Sequence, residues 1–119
     1  MTVHDPSEIS RLSRERFSSA LMSDTKWRKL LGAVVAAGLP IREMVVKFID
    51  VDEPRSMDFP PILDGVPHAY MDTIEFGPVE LRAIEWLTLP ADVGPIVRPL
   101  GQFPVEAVDG GTRVVGYLS

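Results

Sequence analysis

The stretch from Pro67 to Pro90, PHAYMDTIEFGPVELRAIEWLTLP, constrains the fold more than any other part of the chain. Residues 69–76 and 79–89 both alternate apolar and polar side chains, which is the period of a half-buried β-strand. Gly77 and Pro78 lie between the two runs, and turn residues in that position predict a hairpin. The chain is therefore expected to build its core on an antiparallel sheet.

The alternation breaks at Ala83 and Ile84, which is the effect that a β-bulge has on a strand. A helix over 79–87 is a second interpretation, because the Pro-Val-Glu sequence ahead of it is also typical of a helix start. We favour the strand, because β-branched and aromatic residues lead up to Pro90. The side chains expected to form the sheet and core are Tyr70, Ile74, Phe76, Val79, Leu81 and Trp86.

Two helices are predicted ahead of this stretch. The first spans residues 5–22, because Asp5 and Pro6 are typical of a helix cap and first turn. The second spans residues 25–37, where apolar residues recur every three or four positions and Gly38 follows as a typical C-terminal residue. Trp27, in this second helix, is expected to anchor the core.

The remaining segments predict further strands, a loop and a short turn. Residues 41–51 are apolar on both faces, which is typical of a strand that is central in its sheet or covered on both sides. Residues 50–67 hold four prolines and six charged residues, so a long irregular loop is expected there. Residues 91–101 predict a short helix or turn, and residues 103–118 predict a hairpin turned at Asp109-Gly110-Gly111.

This order of elements predicts a single α+β domain over residues 1–119, with residues 1–5 as a mobile end. In the expected arrangement, the two N-terminal helices pack on one face of a mostly antiparallel sheet of about five strands. A length of 119 residues is enough for one hydrophobic core.

Composition narrows the compartment and the partners. No run of about 18 apolar residues exists, and the N-terminal residues lack an apolar segment, so neither a membrane span nor a signal peptide is expected. Cysteine is absent, which fits a reducing cytoplasm. The net charge of −5 disfavours nucleic acid and anionic membranes as partners.

The charge is distributed unevenly along the chain. Residues 1–49 carry eight Lys or Arg and five Asp or Glu, a net charge of +3. Residues 50–92 carry ten Asp or Glu and two Arg, a net charge of −8, and residues 93–119 are neutral. We interpret this acidic segment as a docking surface for a basic partner, with exposed aromatic side chains as anchors. The alternative is that the acids only keep the protein in solution.

The expected partner-binding residues are Asp50, Asp52, Glu53, Asp58, Asp64, Tyr70, Asp72, Glu75, Glu80 and Glu85.

No catalytic signature is present in the sequence, which has no GxSxG, HExxH or Gly-rich phosphate-binding motif. His68, Asp72 and Glu75 are the best candidates for a metal or acid–base site. On a strand, however, residue 75 points to the opposite face from residues 68 and 72. Catalytic residues, a metal site and a cofactor are therefore not expected.

Five short motifs carry a family resemblance. They are Lys26-Trp27, Val46-Lys47-Phe48-Ile49-Asp50-Val51, Tyr70-Met71-Asp72, Phe76-Gly77-Pro78 and Ile84-Glu85-Trp86-Leu87. Together they resemble a family of small standalone bacterial domains of unknown function, over roughly residues 22–118. Members of that family look like the cognate immunity proteins of polymorphic or contact-delivered toxins, which are small, acidic, single domains.

The resemblance implies a non-enzymatic cytoplasmic protein whose partner is a cognate toxin or effector. An acidic blocker suits a toxin with a basic active site, and nucleases are the obvious class. Two other functions remain open from the residues alone. One is a small enzyme or ligand-binding domain that uses the carboxylates near His68. The other is a homodimeric structural module, joined through apolar strand surface at Met71, Leu87 and Leu89.

Overall fold

A computed structural model of the chain describes residues 6–60, 62–64, 70–73 and 77–118. Within them lie the helices α1 (Pro6–Arg16), α2 (Asp24–Ala36) and α3 (Gly94–Val97). The strands are β1 (Ser19–Ala20), β2 (Glu43–Phe48), β3 (Arg55–Asp58), β4 (Ile62–Asp64), β5 (Tyr70–Thr73), β6 (Gly77–Glu80), β7 (Ile84–Leu89), β8 (Val105–Val108), β9 (Gly111–Val115) and β10 (Tyr117–Leu118). Two 3-10 turns, at Leu81–Ala83 and Arg98–Leu100, complete these elements.

The described strands pair antiparallel in three sheets. The largest has five strands in the order β3-β2-β7-β9-β8. A second sheet has the order β4-β5-β6, and β1 pairs with β10 in a third. The predicted α+β class, with a mostly antiparallel sheet of five strands, is therefore confirmed.

The five-stranded sheet has one buried and one half-exposed face. Val46 lies opposite Leu87, and Leu87 lies opposite Val114, so these three side chains share a face. All three are fully buried, whereas Val45 and Lys47, which point the other way on β2, are half-exposed. Of the two predicted alternatives, the central position of β2 is confirmed, because β2 lies between β3 and β7, whereas coverage of both its faces is not found.

Helix α2 matches its prediction within one residue at each end. The Ser23 side chain caps its first turn, because Ser23 Oγ accepts a hydrogen bond from the Lys26 backbone N–H at 3.1 Å. Gly38 follows with a φ of 69°, a left-handed conformation that glycine adopts at little cost. Trp27 is 1% exposed, which confirms its expected place in the core. The buried side chains of this helix belong to the same core cluster as Val46, Leu87 and Val114.

Helix α1 is shorter than the prediction of 5–22. It ends at Arg16, and Ser19–Ala20 forms a strand against β10. Phe17 packs on the ring of Tyr117, with 5.0 Å between the ring centres. The helical pattern of residues 17–22 is weak, so these tertiary contacts override it.

The prediction of an irregular loop over residues 50–67 is wrong. Residues 55–58 form β3, an edge strand paired with β2, and residues 62–64 form β4. The sequence Arg-Ser-Met-Asp has little β-propensity, but Met57 is 2% exposed and anchors the strand in the core. Burial of this one apolar side chain and the ladder to β2 decide the conformation.

The run at 79–89 divides between two sheets, where a single strand was predicted. Gly77 lies opposite Thr73 within the β5–β6 pair, so Gly77 and Pro78 belong to a strand and not to the turn. The residues between 73 and 77 lie outside the described part. Helical structure is limited to the 3-10 turn at Leu81–Ala83, not the alternative helix over 79–87.

The predicted break at Ala83-Ile84 is the point where the chain enters the five-stranded sheet. A register shift follows, because Phe48 lies opposite Ile84 whereas Lys47 lies opposite Trp86. Glu85 is the extra residue, so the bulge lies one position beyond the expected one.

The C-terminal part follows its prediction in outline. Helix α3 and a 3-10 turn lie within residues 91–101, and β8 and β9 form the expected hairpin. The turn consists of Asp109 and Gly110, and Gly111 already belongs to β9. Gly116 separates β9 from β10, which leaves the hairpin to pair with β1.

Candidate functional site

The half-exposed face of the five-stranded sheet carries apolar, aromatic, hydroxyl and charged side chains. Val45 lies opposite Thr88, and Thr88 lies opposite Arg113, so the three share this face. Lys47, Trp86 and Val115 form the next row, by the same pairings. We call this surface the outer face and define it by Val45, Lys47, Trp86, Thr88, Glu106, Arg113 and Val115.

Trp86 lies in the sheet as predicted, but it is half-exposed on the outer face and not part of the core. The guanidinium carbon of Arg113 lies 4.1 Å from the centre of its ring. Arg113 Nε also donates a hydrogen bond to Thr88 Oγ1 at 3.4 Å. The sequence did not predict Arg113 as part of a site, because the contact depends on the register between β7 and β9.

Glu80 and Glu85 were expected to face solvent for a partner, but both have partners within the chain. Glu85 Oε1 lies 3.2 Å from Lys47 Nζ, and these side chains are only 27% and 14% exposed. Glu80 forms an ion pair with Arg82, whose Nη1 donates to Ser10 Oγ at 2.7 Å. These two carboxylates therefore stabilise the fold, and a docking protein would compete with their present cations.

Three of the predicted partner-binding residues lie on the connection from β2 to β3, and a fourth lies at the end of β3. Asp52 and Glu53 are exposed in the connection, and Asp58 is exposed on the edge strand β3. Asp50 is half-buried directly after β2. Pairing of β3 with β2 places Asp58 opposite Glu43 at one edge of the five-stranded sheet, whereas the other three acids lie beyond the opposite end of this pair.

The other predicted site residues fall where little is described. Asp64, Tyr70 and Asp72 lie on β4 and β5, for which only the backbone is described. Glu75 and His68 lie outside the described residues, as do the expected core residues Ile74 and Phe76. Val79 and Leu81 are fully buried, as predicted.

The prediction of an apolar surface that joins a homodimer is wrong for two of its three residues. Leu87 and Leu89 have no exposed surface, because both point into the core. The side chain of Met71 is outside the described part.

Two shallow grooves lie along the five-stranded sheet. The first has a volume of about 240 Å³ and is lined by Glu43, Met44, Val45, Thr88, Pro90, Asp109 and Gly110. The second has a volume of about 310 Å³ and is lined by Leu21, Pro104, Val105, Glu106, Val115 and Leu118. We call them the Val45 groove and the Leu118 groove.

Among the described residues, no group of three His, Cys, Asp or Glu could hold a metal ion. Burial raises the pKa of the Tyr117 phenol, while the nearby Arg82 acts in the opposite direction. The Tyr117 hydroxyl donates a hydrogen bond to the Arg82 carbonyl at 2.5 Å, so it ties β10 to the 3-10 turn ahead of β7.

Comparisons of this chain with family models, with curated proteins and with solved structures found no match. None of the helices in the described residues combines the length and apolarity that crossing a bilayer requires.

Proposed function

We propose that the protein is a non-enzymatic binding protein, an immunity protein that neutralises a cognate bacterial toxin by occluding it with an acidic surface. It would act in the cytoplasm, and a nuclease is the toxin class that fits best. The phosphate-binding site of a nuclease is basic, so an acidic protein surface is complementary to it.

The observation that carries this proposal is the acidic connection between β2 and β3. Asp50, Asp52, Glu53 and Asp58 lie within nine residues, with Arg55 as the single cation among them. β3 is paired with β2 and anchored by buried Met57, so the connection that carries Asp50, Asp52 and Glu53 is tied to the sheet at both ends. A connection fixed at both ends loses less conformational entropy on binding than a free one.

We also infer that α1 and α2 cover the buried face of the five-stranded sheet, which leaves the outer face to a partner. Ile9 and Leu12 of α1 and the buried residues of α2 belong to one core cluster with the buried face. Nuclear Overhauser effects between the methyl groups of Leu31 or Val34 and those of Leu87 or Val114 would test this placement. Contacts from the helices to Val45 or Thr88 would contradict it.

Co-expression with the product of the adjacent gene provides the direct test of function. We expect the two proteins to co-purify and the cells to survive expression of the toxin. The double variant Asp52→Lys/Glu53→Lys is expected to weaken binding at least about tenfold, because it replaces attraction with repulsion at the proposed interface.

The matched control reverses two charges elsewhere, at Glu8 and Glu15 of α1. Glu8→Lys/Glu15→Lys changes the net charge by the same amount at two exposed positions outside the acidic surface and the outer face. Equal losses of toxin binding in both variants would show that the effect depends only on the net charge of the protein. Absence of both binding and protection with the unaltered protein would refute the proposed function.

A further inference from the structure

The Val45 groove combines an apolar floor with carboxylates on two sides. Its apolar lining includes Val45 and Pro90, and Thr88 and Gly110 add little bulk to it. Glu43 reaches the groove from β2, and Asp109 reaches it from the turn between β8 and β9. These two elements lie on either side of β7 in the sheet.

The two carboxylates differ from Glu80 and Glu85 in their surroundings. Glu43 and Asp109 are both exposed, and neither has an ion-pair partner among the described residues. These two carboxylates border apolar surface at Val45 and Pro90, and Arg113 lies beside the groove, hydrogen-bonded to Thr88.

We propose that the Val45 groove binds one arginine side chain of a partner protein. The methylene groups of the arginine would lie on Val45 and Pro90, and the guanidinium group would meet Glu43 and Asp109. A long cationic side chain buries its stem on apolar surface and keeps its charged end at the polar rim. Arginine is also enriched among the residues that dominate binding energy at protein interfaces.

This proposal rests on the proposed binding function and names the chemical group that the partner contributes. It uses residues outside the acidic connection between β2 and β3, so it adds a second contact on the same sheet. A phosphate group does not suit the groove, because carboxylates repel it. A divalent cation does not suit it either, because the floor provides apolar atoms where oxygen ligands are needed.

The test uses short peptides in place of the unidentified partner. The tripeptide acetyl-Gly-Arg-Gly-amide is titrated into labelled protein, and amide chemical shifts are followed by NMR. A second peptide with citrulline in place of arginine keeps the shape of the side chain but removes its charge. We expect saturable chemical-shift changes at the amides of Val45, Thr88 and Gly110. The citrulline peptide is expected to bind more weakly than the arginine peptide, by about fivefold or more.

The variant Glu43→Gln/Asp109→Asn removes both charges while keeping the shape of the groove. Asn-Gly is a favourable turn sequence, so Asp109→Asn preserves the hairpin. We expect this variant to bind the arginine peptide roughly fivefold more weakly, because it loses two exposed ion pairs. The matched control, Glu8→Gln/Glu15→Gln on the exposed side of α1, changes the net charge equally and is expected to bind as the unaltered protein does.

Equal affinity for both peptides, equal loss in both variants, or shifts located away from the groove would each overturn the proposal. The outcome is separable from that of the toxin assay. If the arginine peptide binds but no toxin is neutralised, the groove assignment stands and the proposed function fails. If toxin binds the Glu43→Gln/Asp109→Asn variant with unchanged affinity, only the groove assignment fails.

Discussion

The guanidinium group of Arg113 lies over the ring of Trp86, with 4.1 Å between the guanidinium carbon and the ring centre. Trp86 lies opposite Val115 and Arg113 lies opposite Thr88, so the two are diagonal neighbours on β7 and β9. Both remain half-exposed. The cation and the ring thus fix each other on the outer face without closing that face to solvent.

This contact is expected to contribute about 0.5–1 kcal/mol to the free energy of unfolding, the usual range for a partly exposed cation–π pair. A double-mutant cycle with Arg113→Met, Trp86→Leu and the combined variant measures it by urea unfolding. Thr88→Val removes the long hydrogen bond to Arg113 Nε and is expected to have a smaller effect. A coupling energy of zero between the two residues would contradict the assignment.

Substitution of Gly116 by alanine and substitution of Gly32 by alanine are expected to change the free energy of unfolding in opposite directions. A Cβ atom at Gly116 would lie 2.4 Å from the Ile84 carbonyl oxygen and 3.2 Å from Trp27 Cζ2. Since the obstructing atoms belong to backbone and to a buried ring, Gly116→Ala is expected to lower the free energy of unfolding by about 2 kcal/mol or more.

A Cβ atom at Gly32 would have no neighbour within 4 Å among the described residues. Gly32 is exposed inside α2, so Gly32→Ala is expected to raise stability by about 0.5–1 kcal/mol through helix propensity. Thermal or urea unfolding of both variants checks the pair. Similar changes in the two would show that the close approach of β7 to Gly116 is not tight.

Local chemistry explains which parts of the fold the sequence could predict. The second helix was predictable because Trp27 and Leu31 recur at helical spacing and Gly38 ends it. The break near Ala83 was also visible, since the phase of the apolar residues changes there. Its cause was not, because only the long-range pairing of the two runs assigns them to different sheets.

The site was less predictable than the fold, for a related reason. The sequence shows that Glu80 and Glu85 are acidic, but it does not show that they form ion pairs with Arg82 and Lys47. The Glu85 pair spans 38 residues along the chain and depends on the register between β2 and β7. The Val45 groove likewise assembles from separate elements, so composition alone could not indicate it.

Thr112 holds the loop ahead of α3 through its buried hydroxyl group. Thr112 Oγ1 accepts a hydrogen bond from the Val93 N–H at 3.0 Å and donates one to the Ala91 carbonyl at 2.9 Å. Thr112→Val is expected to cost about 1–3 kcal/mol, because the buried N–H of Val93 loses its acceptor. Thr112→Ser keeps the hydroxyl and is the control. Equal destabilisation by both would assign the role to the methyl group, against this prediction.

The buried phenol of Tyr117 is expected to make the folded protein less stable in alkaline solution. Burial raises the pKa of its phenol in the folded protein, and Arg82 offsets part of that effect. The folded state therefore holds the phenolic proton more tightly than the unfolded state. Stability is unaffected at lower pH and falls as the pH rises above about 10, where the unfolded phenol ionises.

The chain has two tyrosines, so the Tyr70→Phe variant isolates the absorbance of Tyr117 in a spectrophotometric titration. We expect a midpoint above that of a free tyrosine in the folded protein, and an ordinary midpoint in urea. Tyr117→Phe should lose about 1 kcal/mol through the hydrogen bond to the Arg82 carbonyl. It should also unfold with a weaker dependence on pH in the alkaline range. A folded-state midpoint at or below the ordinary value would contradict the buried position of the phenol.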